Sequence, residues 1–317
     1  MRILVTGSSG HLGEALMRTL PALGHMAVGV DIVPAPFTQV TGTIADRALV
    51  DDCMRGVDVV LHAATLHKPH VATHSRQAFV DTNVTGTLNL LEAATANKVR
   101  AFIFTSTTST FGDALTPPPG SPAAWITEEI APIPKNIYGA TKTAAEDLCQ
   151  LFHRNQGLPC LVLRTSRFFP EGDDVPEKRT AWDDSNLKVN ELLYRRVDTE
   201  DVVSAHLLAM ERASALGFQK FIITATSPFT REDLAALGRD APAVLERRVP
   251  GYRAVFEPRG WKMLPTLDRV YVNEKARRLL GWQPKYDFAR ALASIAAGED
   301  FRSPLATAVG SKGYHPS

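Results

Sequence analysis

The chain of 317 residues has little cysteine, almost no net charge and no long apolar run. Its three cysteines, Cys53, Cys149 and Cys160, are too few and too scattered for a disulfide framework or a thiolate metal site, which favours a reducing cytoplasm. The 35 Lys and Arg against 34 Asp and Glu provide no overall attraction to nucleic acid or anionic lipid. No apolar run approaches the roughly 20 residues of a membrane span. We therefore expect a cytoplasmic protein with neither nucleic-acid nor membrane partners.

Short apolar runs alternate with helical patterns over the first half of the chain. The runs lie at 3–5, 27–30, 57–61, 101–104 and 161–164, and the longest helical patterns lie at about 75–98 and 137–155. This alternation predicts an α/β fold with a doubly wound parallel sheet, covered by helices on both faces.

The alternation weakens beyond residue 165. Later elements are expected at about 200–213, 219–225, 230–237, 273–280 and 287–297. We predict a first domain at 1–165 and a smaller, mixed α/β substrate region at 166–317, with some elements packing back on the first domain. The second region should lie over the carboxyl ends of the strands, where such sheets bind ligands.

A glycine-rich turn, TGSSGHLG, joins the first strand to the first helix and contains Gly7, Gly10 and Gly13. A sharp turn, close approach of the backbone to a pyrophosphate, and tight packing of helix on strand each require a minimal side chain. The helix N-terminus also offers unpaired N–H groups to phosphates. The turn therefore predicts a Rossmann-type dinucleotide-binding domain.

Two aspartates follow this turn. Asp31 closes the second strand 18 residues after Gly13, where a carboxylate binds the adenosine ribose hydroxyls and repels a 2′-phosphate. With no basic residue nearby, the predicted cofactor is NAD rather than NADP; the alternative is a solvated turn aspartate before Pro34. Asp46 either reaches the adenine edge or caps the helix that begins at Arg47, and the sequence leaves both roles open.

Tyr138 and Lys142, in YGATK, lie four residues apart and therefore on one face of a helix. An ammonium one turn away, helped by a cationic nicotinamide, should lower the tyrosine pKa from about 10 toward working pH, so that the phenol exchanges a proton with a substrate hydroxyl. Such a pair alone is common on helix surfaces. The hydroxyl-rich segment FIFTSTTSTFGD, from Phe102, favours the catalytic role because it supplies a side chain to hold the substrate oxygen.

Six segments carry a wider resemblance: TGSSGHLG, DVVLHAA at 58–64, NVTGTLNLLEAA from Asn83, FIFTSTTSTFGD, YGATK and VNEKARRLLGWQP from Val272. Together they resemble the extended short-chain dehydrogenase/reductase family, and within it the NAD-dependent epimerase/dehydratase branch that includes UDP-glucose/galactose 4-epimerases. The resemblance implies that Tyr138 is the acid/base, that Lys142 lowers its pKa and binds the nicotinamide ribose, and that Thr107 positions the substrate. Ser106 or Thr108 takes the last role if the strand is shifted.

The resemblance also implies a cofactor site and a homodimer. The cofactor-binding residues would be Gly7, Gly10, His11, Leu12, Gly13, Asp31, Asp46, Ala63, Ala64, Asn83, Tyr138 and Lys142. The dimer would form through the helices at about 75–98 and 137–155, with an apolar stripe at Ala145, Leu148 and Phe152. The same stripe also suits packing against the sheet.

The chain departs from the family on the substrate side. The 4,6-dehydratases carry an Asp-Glu pair after the catalytic threonine, whereas this chain has Thr108 and Ser109, which disfavours dehydration. Where epimerases have a substrate-binding asparagine, this chain has Arg167, whose guanidinium suits a carboxylate or phosphate. The alternative is a structural ion pair with Glu171, Asp173 or Asp174.

The segment NELLYRRVDTEDVVSAHLLA resembles the family's second substrate-side motif. Asp201 and His206 are in register, and Arg195 or Arg196 falls near the place where an arginine binds a diphosphate. Because the motif is altered, recognition of a nucleotide sugar is left open.

Three histidines, His67, His70 and His74, follow the fourth strand. A substrate loop containing His67 is favoured over a zinc site, since no carboxylate or thiol accompanies the histidines, and we predict no metal. His62 is expected to be a hydrogen-bonded core residue.

These features predict an NAD-dependent oxidoreductase that acts on a sugar or sugar-like hydroxyl, most simply an epimerase working through a transient ketone. The second hypothesis is a net dehydrogenase or reductase of an acidic or phosphorylated substrate. The third is a regulator that binds NAD without catalysis, against which Tyr138 and Lys142 argue.

Overall fold

A parallel β-sheet forms the centre of the computed structural model, which describes residues 1–118, 120–173 and 175–313. The strands are β1 (Arg2–Thr6), β2 (Met26–Asp31), β3 (Val40–Thr41), β4 (Val59–His62), β5 (Ala101–Thr107), β6 (Ala124–Ile126), β7 (Cys160–Thr165), β8 (Phe218–Ile223) and β9 (Arg269–Tyr271). Seven of them form one sheet in the order β3-β2-β1-β4-β5-β7-β8, and β6 pairs with β9. The predicted α/β fold is confirmed.

Helices cover both faces of this sheet. They are α1 (His11–Thr19), α2 (Arg47–Cys53), α3 (Arg76–Val80), α4 (Gly86–Ala96), α5 (Ile137–Gln156), α6 (Pro176–Ala181), α7 (Asp184–Leu192), α8 (Thr199–Leu216), α9 (Leu234–Leu237), α10 (Ala241–Arg248), α11 (Tyr252–Phe256), α12 (Glu274–Leu280), α13 (Phe288–Ala296) and α14 (Pro304–Val309). The helix predicted at 75–98 is divided into α3 and α4 by one π-helical turn, Asp81–Thr85. Within the described ranges, none of the helices combines the length and apolarity of a membrane span.

The strands are buried on both faces, which explains their continuous apolar runs. Ile3 and its neighbours pack against α1 and α8 on one face, and Leu4 and its neighbours pack against α4 and α5 on the other. Ala145 and Phe152 belong to the second core, and Leu148 packs against it. The stripe predicted for a dimer thus faces this chain's own sheet, because the α5 face that carries it covers the strands. The homodimer itself stays a prediction.

The main sheet extends beyond residue 165. Strand β8 pairs in parallel with β7, and α8 packs in the core beneath it. Helices α12 and α14 also pack in that core. Helices α7, α9, α10, α11 and α13 surround a separate apolar core that includes Val189, Leu237, Val244, Phe256 and Phe288. Strand β8 is therefore the seventh strand of the main sheet. The division into domains at 1–165 and 166–317 stays a prediction.

Candidate active site

A cavity of about 600 Å³ lies at the carboxyl ends of the strands, within the size range of small-molecule sites. Its wall includes Gly7 after β1, Asp31 at the end of β2, Thr107 at the end of β5 and Thr165 at the end of β7. Tyr138 also lines it, from the first turn of α5. The topology therefore brings the predicted dinucleotide turn and the predicted acid/base to one cavity.

The glycine-rich turn forms one end of this cavity. Gly7 has a φ of +76°, and a Cβ on Gly13 would lie 1.9 Å from the Gly7 carbonyl oxygen. The helix therefore approaches the turn too closely for any side chain at that position. The five predicted turn residues, Gly7, Gly10, His11, Leu12 and Gly13, all line the cavity. This cradle fits a dinucleotide pyrophosphate.

Asp31 lies beside the turn. Its Oδ2 accepts a hydrogen bond from the Ser9 amide and its Oδ1 accepts one from the Val33 amide, each 3.0 Å long. The wall residues around it carry no cation: Ile32, Val33, Gly42, Thr43 and Ile44. This end therefore suits an adenosine ribose without a 2′-phosphate. Asp46 instead caps α2, with Oδ1 accepting two backbone amides, and does not line the cavity.

The remaining predicted cofactor residues reach the site differently. Ala63 and Ala64 line the cavity directly. Asn83 is buried behind it, donating to the Leu66 carbonyl at 2.9 Å and to Thr141 Oγ1 at 3.0 Å, and accepting from the Leu66 amide at 2.9 Å. Asn83 therefore fastens the segment after β4 to α5.

The hydroxyls at the end of β5 take different directions. Ser106 donates to Glu146 Oε1 at 2.6 Å, beneath the cavity. Thr107 also lines the cavity, and its side chain lowers the pKa of the Tyr138 phenol, against the larger effect of burial. Thr108 lines the cavity at the start of a 3-10 turn. Of the three threonine and serine candidates, Thr107 thus lies beside the tyrosine.

Burial dominates the electrostatics of Tyr138 and Lys142. Burial raises the pKa of Tyr138 to about 12, against a smaller lowering by the Thr107 hydrogen bond. Burial lowers the pKa of Lys142 to about 7, opposed by Cys149 and Glu146. The Lys142 Nζ lies 3.9 Å from the centroid of the Phe104 ring. The protein's own residues thus raise the Tyr138 pKa, and Lys142 is not among the groups that shift it. The predicted lowering, which also counts on a cationic nicotinamide, stays a prediction.

A buried carboxylate, Glu146, joins the elements beneath the site. Arg164 on β7 binds it with two nitrogens, Nε to Oε1 at 2.9 Å and Nη2 to Oε2 at 2.7 Å. Lys220 on β8 lies 3.0 Å from Oε2, and Ser106 on β5 binds Oε1. Burial alone would raise the Glu146 pKa, but Arg164 and Lys220 hold it below its usual value. One carboxylate on α5 therefore connects three adjacent strands.

The other end of the cavity is rich in cations. Five basic residues contribute to its described wall: Lys68, Lys135, Arg167, Arg195 and Arg269. The single carboxylate among the described wall residues is Asp31, at the opposite end. Four of the five are paired with carboxylates of the protein: Lys135 with Asp113, Arg167 and Arg195 with Asp173 and Glu191, and Arg269 with Asp268. The wall is therefore basic in composition, while much of its charge is balanced within the chain.

The predicted arginines are held by the protein. Arg167 donates from Nη2 to the Gly172 carbonyl at 2.6 Å and lies 3.9 Å from carboxylate oxygens of Asp173 and Glu191. The carboxylate of Asp174, the other predicted partner, lies outside the described residues. Arg195 binds Asp173 at 3.0 Å and Glu191 at 2.5 Å. Arg167 and Arg195 thus line the cavity while forming structural contacts.

Arg196 lies behind the cavity wall. Its Nε donates to Glu191 Oε2 at 2.8 Å and its Nη1 donates to the Phe169 carbonyl at 3.0 Å. It is buried and absent from the described wall of the main cavity. Arg195 rather than Arg196 is therefore placed to meet a ligand.

The three loop histidines line the cavity as a group. The ring centroids of His67 and His70 are 4.5 Å apart, and those of His70 and His74 are 5.0 Å apart. Across the described ranges, no set of three or more His, Cys, Asp or Glu side chains is arranged to hold a metal ion. His62 bonds Thr6 at 2.7 Å and Thr87 at 2.9 Å, as a core residue.

Some wall residues carried no usable signal in the sequence. Arg269 and Tyr271 reach the cavity from β9, which pairs with β6 more than a hundred residues earlier. Nothing local indicates that pairing. Lys135, in contrast, directly precedes Asn136, whose side chain caps α5 by accepting from the Gly139 amide at 3.0 Å. Its position just before the helix that carries Tyr138 is therefore a local signal that it lies near the cavity.

Comparison with known proteins adds to this geometry. The model of the NAD dependent epimerase/dehydratase family matches residues 3–223. The chain belongs to this family. Its cofactor is NAD, which agrees with the glycine cradle and with the cation-free wall around Asp31.

This epimerase/dehydratase family member has relatives that are named as epimerases and relatives that are named as dehydratases. It is 28% identical over 324 residues to a UDP-glucose 4-epimerase of Rhizobium meliloti, covering 90% of this chain and 93% of that protein. It is 34% identical over 200 residues to a dTDP-glucose 4,6-dehydratase of Streptomyces niveus, which is 56% of each chain. A short-chain dehydrogenase/reductase protein of Agrobacterium tumefaciens, solved with bound NAD, shares the fold with a TM-score of 0.66 at 24% identity, covering 94% and 96% of the two chains.

Replacing Glu191 by glutamine should destabilise this family member in a pH-dependent manner. Burial raises the pKa of Glu191, but Arg196, Arg195 and Arg167 lower it to about 2. A lowered folded-state pKa stabilises the fold above the unfolded value and loses that contribution as pH falls toward the folded value. We expect Glu191→Gln to cost about 3 kcal/mol at neutral pH, and the gap to the parent protein to narrow between about pH 5 and pH 2.

Urea unfolding at several pH values measures this gap. The matched control is Glu246→Gln, which removes an exposed ion pair with Arg253 and should cost less than about 1 kcal/mol at any pH. A gap for Glu191→Gln that is small at neutral pH, or that widens in acid, would contradict the prediction.

Proposed function

We propose that the chain is an NAD-dependent oxidoreductase that epimerises a secondary hydroxyl of a sugar or sugar-like substrate, using Thr107, Tyr138 and Lys142. Family membership supplies the coarser assignment. The finer one rests chiefly on one observation: Thr107 and Tyr138 both line the cavity, and the Thr107 side chain is near enough to the phenol to lower its pKa. Two adjacent hydroxyls are a suitable pair to hold one alcohol or carbonyl oxygen.

Tyr138, Thr107 and Lys142 have separate roles in the proposed reaction at that oxygen. In the oxidation half, Tyr138 would act as the phenolate and take the proton of the alcohol as the hydride leaves the carbon; in the reduction half, the phenol returns that proton to the carbonyl oxygen. Because burial raises the Tyr138 pKa to about 12, we propose that the positive charges of Lys142 and of a bound nicotinamide favour the phenolate. Thr107 orients the oxygen. Lys142, with a pKa lowered to about 7, exchanges its charge near working pH and is proposed to bind the nicotinamide ribose. Bound NAD supplies first the acceptor and then the donor of the hydride that leaves and returns to the substrate carbon.

Dehydration is the less favoured reaction. A 4,6-elimination needs an acid and a base next to the threonine, and Thr108 and Ser109 occupy those positions. The single carboxylate of the described wall, Asp31, lies at the cofactor end. These observations support epimerisation over dehydration even though a dehydratase is among the relatives.

A second candidate function is a net dehydrogenase or reductase of an acidic or phosphorylated substrate. The observation that favours it is the cationic end of the cavity, where Arg167 and Arg195 lie with three other basic side chains. Guanidinium groups bind carboxylates and phosphates in a bidentate manner. The third reading, a regulator that binds NAD without catalysis, lacks a comparable observation.

Incubation of the purified protein with NAD and a panel of substrates separates these reactions. The panel contains UDP-glucose, UDP-glucuronic acid, free sugars and sugar phosphates. An epimerase interconverts hydroxyl configurations without accumulating NADH, whereas a net dehydrogenase accumulates NADH in proportion to product. A product lighter by one water would identify a dehydratase and overturn the proposal, as would the absence of turnover across the panel.

A further inference from the structure

Glu171 connects three segments that are far apart in sequence. Its Oε1 lies 3.0 Å from His11 Nε2, in the dinucleotide turn. The same oxygen accepts from Ser311 Oγ at 2.9 Å and from the Lys312 amide at 2.6 Å, near the end of the described chain. Glu171 itself belongs to the segment that follows β7. We call this set of contacts the Glu171 junction.

The segment that supplies two of these contacts is anchored next to α1. Val309 of α14 belongs to the same core as Leu12 and Leu16 of α1. The ammonium of Lys312 pairs with the Glu14 carboxylate on α1. Residues 309–312 therefore lie along the helix whose first turn forms the cofactor cradle.

The junction acts through His11. His11 lines the cavity, whereas Glu171 is buried and absent from the described wall. Burial alone would raise the pKa of Glu171, but its contacts with His11 and the Lys312 amide lower it to about 2. The residue is therefore a carboxylate at neutral pH, with a charge that strengthens each of its hydrogen bonds.

The same segment also shapes the substrate side. Four consecutive residues, Ser166, Arg167, Phe168 and Phe169, line the cavity and lead directly to Glu171. Arg167 binds the Gly172 carbonyl within this segment. A contact that fixes Glu171 thus limits the movement of both the cofactor turn and the wall beyond it.

We propose that Glu171 is a positioning residue that fastens the segment after β7 and the C-terminal residues 311–312 to the dinucleotide turn, and so strengthens NAD binding. The proposal rests on the family's cofactor, and it does not depend on which substrate is converted. It predicts that weakening either side of the junction loosens the cofactor.

This is tested by measuring NADH binding to the 317-residue chain, with titration calorimetry for affinity and stopped-flow measurement of the rate of NADH release. Glu171→Gln keeps the size of the side chain and removes its charge. Lys312→Pro removes the backbone N–H that Glu171 accepts. We expect each variant to raise the NADH dissociation constant about fivefold or more, with faster release. Lys312→Ala separates the amide from the ammonium: it retains the amide, loses the pair with Glu14, and should raise the constant less than Lys312→Pro does.

Two further readouts distinguish a junction from a general loss of stability. If both substitutions break one unit, the double variant Glu171→Gln/Lys312→Pro should bind NADH about as weakly as the weaker single variant. Amide hydrogen exchange should increase at residues 9–13 and 167–173 in both single variants, while exchange in β5 stays at the parent rate. Parent-like NADH binding by both folded variants would overturn the proposal, and so would equal effects of Lys312→Pro and Lys312→Ala. Because binding is measured without substrate, failure of the proposed reaction would leave these outcomes unchanged.

Discussion

Tyr138→Phe is expected to reduce turnover about a thousandfold, since a positioned general acid/base contributes ~10²–10⁴ in rate. The substitution removes the hydroxyl whose pKa Thr107 lowers but keeps the ring, which packs against Leu66 and Phe79. NADH affinity should therefore change by less than about twofold, since so little packing is lost. Initial rates with the identified substrate and calorimetric titration with NADH measure the two quantities.

The control is a second buried tyrosine. Tyr252→Phe removes a hydroxyl from the apolar core formed by the late helices, where Tyr252 is 2% exposed, and should leave turnover near that of the parent protein. Thr107→Ser should retain activity that Thr107→Val loses, because only the serine keeps a hydroxyl beside Tyr138. Undiminished turnover in Tyr138→Phe would refute the catalytic assignment.

Gly13→Ala should weaken NADH binding by about tenfold or more, because overpacking costs ~1–3 kcal/mol and each ~1.4 kcal/mol is a factor of ten. The added Cβ would lie 1.9 Å from the Gly7 carbonyl oxygen, so the turn must move away from the helix. Alanine is otherwise the better helix former by about 1 kcal/mol. A loss of affinity would therefore reflect the cradle and not the helix.

A neighbouring substitution provides the comparison. At Gly10 an added Cβ would lie 3.3 Å from the same oxygen, a contact that a small shift relieves. Gly10→Ala should therefore weaken binding less than Gly13→Ala. The reverse order, or equal affinities in all three proteins, would show that the close approach at Gly13 does not shape the cofactor site. Circular dichroism and urea unfolding establish that each variant is folded.

Local spacing in the sequence was sufficient to predict the parts of the site that depend on one turn or one helix. The glycine turn, Asp31 and Tyr138 line the cavity as local spacing predicts, whereas Lys142 is buried and absent from the described wall, so its role stays a prediction. Strand periodicity likewise predicted β1, β2, β4, β5 and β7, because strands buried on both faces need continuous apolar runs.

Features set by distant pairing were not accessible in the same way. Parallel pairing of β8 with β7 places residues from the second region in the main sheet. The sequence offers Asp173 as a partner of Arg167, but it does not indicate that Glu191 lies against Arg167, Arg195 and Arg196 together. Burial raises the Tyr138 pKa, and local spacing does not predict this, because spacing gives only the distance to one charge, whereas burial depends on every element around the phenol.

Glu146 holds the elements that carry Tyr138 and Thr107, and it does so independently of the segments that form the basic end of the cavity. Its bonds to Ser106, Arg164 and Lys220 tie α5 to β5, β7 and β8, so the helix that bears Tyr138 and the strand that bears Thr107 are fixed by side chains beneath the cavity floor. The basic end of the cavity is built from other segments, including the one after β7 and the distant β9. Changes in those segments can therefore alter which molecule enters while the spacing between the phenol and the threonine is preserved. The elements joined by Glu146 and the segments that form the basic end of the cavity can therefore vary independently of each other.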